Sequence, residues 1–171
     1  SHNVFVIPAT IQLAGAEVEL VQADERETRL KKAIDEIKDS FDYIFIDCPP
    51  SLGVLTINAL TACNSILVPI QCEFYALEGV TKLMESIKMM KSTLNPDLEI
   101  FGIVLTMYDK RTSLSKQVAD EVRNYFEKKV FKTVIPRNVR LSEAPSYGES
   151  IFEYDKLSKG AQAYRDLAKE V

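Results

Sequence analysis

Tryptophan is absent from the 171-residue chain, histidine occurs once, and the three cysteines, Cys48, Cys63 and Cys72, form no CxxC pair. An odd cysteine count without metal-ligand spacing excludes a disulfide framework and a zinc site of the usual kind, and fits a reducing cytosol. Cys63 and Cys72 are expected to pack as small apolar groups. The one histidine, His2, follows Ser1 at the terminus and is assigned no role, which leaves no residue for a histidine-based triad. None of the six glycines opens a GxxxxGK[ST] phosphate loop, a GxGxxG fingerprint or a GxSxG elbow. No run approaches the roughly 20 apolar residues of a membrane-spanning helix, and no amino-terminal signal peptide is expected.

What remains is an ordinary globular composition, 46% hydrophobic and 27% charged, enough for one core and one expected domain over residues 1–171. The net charge of −4 argues against a nucleic-acid binder, but the charge is unevenly spread. Residues 1–107 hold 8 basic and 15 acidic groups, residues 108–142 hold 9 and 4, and residues 143–171 hold 4 and 6. The middle segment is thus net +5 inside an acidic chain. Such a segment suits an anionic partner, and equally a solvated charged face.

Apolar runs rich in β-branched residues alternate with segments of helical period. Strands are expected at residues 4–7, 43–47, 65–70, 100–107 and 133–135. Helices are expected at roughly 26–40, 55–63, 77–94, 114–126 and 156–171. Strands alternating with helices of this length imply right-handed βαβ units. The expected fold is therefore α/β, a three-layer α/β/α sandwich around a mostly parallel sheet.

Ligands of an open parallel sheet sit beyond the carboxyl ends of its strands, and four such ends carry polar groups. Asp47 closes the run YIFID, the Walker B pattern in which a carboxylate holds magnesium through its water shell; an Asp there also serves as a plain turn or cap. The turn PPSLG after it leads into a helix start, whose free amides could face a phosphate. Gln71 to Tyr75 follow the next strand, with Glu73 read chiefly as the start of a helix. At the third end, Met107 could pack on a base and Asp109 accept from it, with Lys110 and Arg111 on the rim. At the fourth, the turn Pro136, Arg137, Asn138 offers exposed main chain as an adenine wall. Lys128 to Arg140 carry five basic residues and no acid, a composition that contacts phosphates without reading sequence.

Taken in order, residues 6–10 (VIPAT), 43–53 (YIFIDCPPSLG), 55–60 (LTINAL), 71–79 (QCEFYALEG), 105–111 (LTMYDKR), 135–148 (IPRNVRLSEAPSYG) and 159–161 (KGA) resemble the ParA/Soj family of chromosome and plasmid partitioning ATPases. Each block alone is weak; the ordered set is specific and covers essentially everything after Asn3. The resemblance implies a deviant-Walker P-loop ATPase fold, with ATP and Mg2+ as cofactors and a homodimer when ATP is bound. By the same analogy Asp47 is the catalytic and magnesium-side carboxylate, and Cys48 to Gly53 belong to the second switch. Met107, Asp109, Pro136, Arg137 and Asn138 surround the adenine, and Arg111 and Arg140 bind DNA non-specifically. It further implies a ParB-like partner and a cytoplasmic, nucleoid-associated location, with no membrane. Measured against the family pattern, the chain lacks roughly the first third, which carries the phosphate loop. By itself it is therefore expected to bind no nucleotide and hydrolyse no ATP. The alternatives are a non-catalytic interaction module, a MinD-like division-site ATPase and an iron–sulfur relative. The last two are discounted, because the carboxy-terminal helix reads as core-facing and Cys48, Cys63 and Cys72 are not set as paired cluster ligands.

Overall fold

A computed structural model of the chain describes residues 3–49 and 53–171. The chain divides into two compact units, Ser1–Asn64 with Ser86–Leu98, and Ser65–Glu85 with Glu99–Val171.

In the first unit, short helical turns surround α1 (Ala16–Glu19), α2 (Arg29–Asp35) and α3 (Val54–Ala62). Asn58 of α3 is buried and fully used. Its amide nitrogen donates to the carbonyls of Arg26 and Val54 at 2.7 and 2.9 Å, and its oxygen accepts from Leu30 N–H at 3.1 Å. Asn95 similarly donates to the carbonyls of Leu60 and Cys63, which end α3. Both asparagines hold backbone together, and buried Asn58 has all its partners, as an amide must when water is excluded.

The second unit contains β1 (Ser65–Gln71), α4 (Ala76–Thr93, through Glu85), β2 (Glu99–Tyr108), α5 (Ser113–Phe126), β3 (Val130–Pro136), α6 (Val139–Glu143), α7 (Ile151–Tyr154) and α8 (Lys159–Glu170). The strands pair in parallel in the order β1-β2-β3. Successive side chains of a strand point to opposite faces, and the core divides accordingly. Ile103 and Leu105 pack with Val80 of α4 and with Val118, Ala119 and Val122 of α5. Val104 and Ile135 pack with Leu167 of α8. Helices thus cover both faces of a parallel sheet, the α/β arrangement expected. Gly102 is needed where β2 passes Phe131, because a Cβ there would lie 2.4 Å from the ring. Leu167 and Ala161 of α8 are buried in the core. No helix among the described residues is long and apolar enough to cross a membrane.

Two expected strands do not form. Residues 4–7 and 43–47 have no ladder partner among the described residues. A β-prone run becomes a strand only when another backbone takes its hydrogen bonds. Phe5, Val6, Ile7, Tyr43 and Phe45 consequently stand exposed. β1 is therefore one edge of the sheet among the described residues, with β3 the other. Cys72 N–H donates to Thr106 O at 2.9 Å, so residues 68, 70 and 72 face β2, and 67, 69 and 71 face the open edge. There Pro69 supplies no N–H, as suits an edge position.

Candidate functional site

Where β2 ends, the chain departs from regular geometry. Between the pairs Leu105↔Val134 and Tyr108↔Pro136, β2 advances three residues while β3 advances two. The extra residue forms a bulge, and within it Met107 adopts a φ of +53°. A left-handed non-glycine residue costs on the order of 1 kcal/mol, and such strain concentrates where a side chain has to be aimed. Met107 is aimed into a cavity of about 890 Å³, which Asp109 and Arg137 also line. Its walls include Val80, Leu83 and Leu114.

The loops around this cavity are tied to one another. Arg137 N–H donates to Tyr108 O at 3.0 Å, extending the β2–β3 pairing past the last strand residue. The buried Ser115 hydroxyl donates to Cys72 O at 3.2 Å and accepts from Asp109 N–H at 3.4 Å, linking the ends of β1 and β2. Thr112 caps α5 by accepting from Ser115 N–H. Arg137 Nη2 pairs with Glu73 Oε1 at 2.5 Å. Glu73 therefore reaches across to a basic partner, besides preceding α4. The Ser115 bridge and the Glu73 pairing were not read from the sequence. The Thr-Ser-Leu-Ser run at 112–115 signals the cap, but nothing in it signals the tertiary partners.

Asp109 is clamped by Arg111. Its Oδ1 accepts from Arg111 N–H at 3.0 Å and from Nε at 2.9 Å, and its Oδ2 accepts from Nη2 at 2.7 Å. Hydrogen bonding to this guanidinium and to the Arg111 amide holds the carboxyl down at about 2, against the usual 3.8. Arg140, on the first turn of α6, also faces acids: Nη1 meets Glu143 at 2.9 Å and Nε meets Asp155 at 3.4 Å. Both arginines expected to meet phosphates are thus paired inside the chain. The Asn138 side-chain oxygen caps α6 by accepting from Arg140 N–H at 2.8 Å. Pro136 and Asn138 do not line the cavity, whereas Arg137 does.

The apolar walls, the Asp109 acceptor and the Arg137 cation fit a purine base. The phosphates and magnesium fit less well. Asp47 is exposed and belongs to the first unit, and among the described residues no group of three carboxylate, histidine or cysteine side chains could hold a metal ion. The amides at the start of α3, expected to be free, are taken: the Glu17 carboxylate accepts from Val54 N–H at 3.0 Å and from Leu55 N–H at 3.4 Å. A carboxylate suits that position because unpaired amides and the helix dipole both favour an anion. Pro50, Ser51 and Leu52 of the expected second switch lie outside the described residues. Cys72 is buried, which pushes its thiol up and leaves it a small apolar group, as expected.

Comparison with known proteins decides the family. The AAA domain family matches residues 1–100. The chain is 61% identical over 170 residues to the sporulation initiation inhibitor protein Soj of Bacillus subtilis, and 54% identical over 170 residues to the chromosome-partitioning ATPase Soj of Treponema pallidum. It belongs to the ParA/Soj family. Each match covers 99% of this chain and 67% of the relative. A solved structure shares the fold. The chain superimposes with a TM-score of 0.77, at 41% identity, on a cobyrinic acid a,c-diamide synthase of Mycobacterium smegmatis bearing ADP and magnesium. That match covers 95% of this chain and 59% of the other. The chain thus spans about two-thirds of the curated relatives and less of the solved one.

Proposed function

We propose that this chain supplies the adenine-facing and DNA-facing residues of a ParA-type partitioning ATPase. In the intact protein, that enzyme binds ATP and Mg2+, dimerises, and contacts DNA non-specifically in the cytoplasm, on the nucleoid, under the control of a ParB-like partner. The observation that carries the reading is the Met107 bulge. It turns a strained, polarisable side chain toward the same cavity as Asp109 and Arg137, at the carboxyl ends of parallel strands where such folds bind ligands. Met107 packs on the base, Asp109 accepts from its exocyclic amino group, and Arg137 closes the rim. The relatives named chromosome-partitioning ATPase support the partitioning role. Phosphate binding is not assigned to these 171 residues, which contain no glycine-rich phosphate loop. Asp47 remains the magnesium-side carboxylate of the reading, with its other oxygen ligands drawn from elsewhere in the intact protein.

The test uses the full-length protein with ATP. Replacing Arg111 or Arg140 with Ala weakens binding to unrelated duplexes alike and lowers the salt slope by about one per lost phosphate contact. Unchanged affinity and slope in both variants would overturn the DNA role.

A further inference from the structure

On one side β3 meets β2, and among the described residues no strand lies on the other. Residues 130–135 read VFKTVI, five of the six β-branched or aromatic and one charged. A segment of this composition at a sheet edge recruits another strand. A second copy of the chain brings an edge of the same length and pattern, which pairs with the first about a two-fold axis.

The β3 edge is nevertheless occupied. Between the pairs Ile103↔Val130 and Leu105↔Val134, β2 advances two residues and β3 four, so residues 131–133 have no register partner on β2. Two successive amides of this excess stretch go to one carboxylate. Lys132 N–H donates to Glu170 Oε2 and Thr133 N–H to Glu170 Oε1, both at 2.8 Å. Glu170 ends α8, and Leu167, one turn earlier, packs with Val104 and Ile135, so core packing sets where the carboxylate lies. Hydrogen bonds from the Thr133 side chain, and then from the two amides, hold the Glu170 carboxyl below its ordinary value.

An ionised carboxylate accepts and never donates. It satisfies the two amides as the carbonyls of a neighbouring strand would, yet it offers no N–H in return and no chain along which a ladder could grow. Lys132, exposed on the same stretch, adds a charge that a second edge would have to approach. Glu170 itself lies at the surface, where an incoming backbone competes for the same two amides.

We propose that Glu170 closes the β3 edge: its carboxylate stands in for a neighbouring strand and keeps a second copy of the chain from pairing there. Such pairing uses none of the residues that line the base cavity, so its test is separate from that of the nucleotide reading.

The test uses the full-length protein without nucleotide. Lys132→Cys puts a thiol on the edge and leaves the backbone amide in place. A short bismaleimide then joins two such thiols where two edges meet, and peptide mass separates a 132–132 link from links through the exposed Cys48. With Glu170 present, little 132–132 link is expected. Glu170→Ala on the same background is expected to raise it several-fold and to add a concentration-dependent dimer in sedimentation. Glu170→Gln keeps one accepting oxygen and turns a donor toward the other amide, so its yield is expected to fall between the two. Yields and sedimentation unchanged by both substitutions would overturn the closure. So would links through the buried Cys72 rising in step with the 132–132 link, because that marks general unfolding.

Hydrogen exchange in dilute, monomeric protein gives a second measurement. The Lys132 and Thr133 amides are expected to exchange slowly with Glu170 present and several-fold faster in Glu170→Ala, while the amides of β2 keep their protection. Unchanged exchange at both positions would show that the carboxylate does not hold them, and the closure would fail.

Discussion

Arg137 is held at both ends: its amide donates to Tyr108 O at 3.0 Å, and its guanidinium pairs with Glu73 Oε1 at 2.5 Å. The first bond fixes the turn and the second ties the end of β3 to the loop after β1. Both side chains are half exposed, so the pair adds under about 1 kcal/mol to stability. Arg137→Ala should leave the thermal midpoint within a few degrees of wild type and weaken adenine-nucleotide binding in the full-length protein several-fold. Calorimetric melting and titration check both. A large loss of stability with unchanged nucleotide affinity would make the residue structural.

The Asp109 carboxyl should titrate near 2 in the folded chain rather than near 3.8, read from its side-chain carbon resonance. Arg111→Ala should return it toward the ordinary value. The folded value is depressed, so the contribution of the clamp is complete above the unfolded value and is lost as pH falls through the folded one. Acid should therefore open the clamp between about pH 4 and pH 2, not in the neutral range.

Gly102→Ala places a methyl 2.4 Å from the Phe131 ring. The ring packs against the cluster of Val104, Ile135 and Leu167, so it has little room to yield. The expected cost is about 1–3 kcal/mol, measured by urea denaturation. Combining the change with Phe131→Leu should recover part of it.

The open edge of β1 and the exposed run Tyr43, Ile44, Phe45 both present unpaired, β-prone chain. Such surfaces seek partners. The 171-residue chain should sediment as a concentration-dependent mixture of monomer and larger species, and Phe45→Lys should shift it toward monomer. A single monomeric species at all concentrations would remove this expectation.

Incubated with ATP and magnesium, the 171-residue chain alone should release no phosphate above background. These residues supply neither the glycine-rich amides nor the lysine that hold β- and γ-phosphates. Turnover that disappears on Asp47→Ala would contradict this.

Sequence and tertiary structure decided different things here. Periodicity determined the second unit: β1, α4, β2, α5, β3 and α8 lie where alternating and helical patterns place them, because each element buries one face of a pattern written locally. The positions of Met107, Asp109 and Arg137 at strand ends were legible for the same reason. The runs at 4–7 and 43–47 carry an equally strong local pattern and form no strand, because a strand needs a second backbone, which the run itself does not contain. The partners of the charged groups also belong to the tertiary structure. Arg111 turns back on Asp109, Arg140 on Glu143 and Asp155, Arg137 on Glu73, and Glu17 covers the start of α3. A long side chain reaches several ångströms in any direction, so the chosen partner depends on which loops the fold brings within reach. The left-handed turn of Met107 has the same origin: β2 and β3 stay paired out of step by one residue, and the extra residue has to bulge.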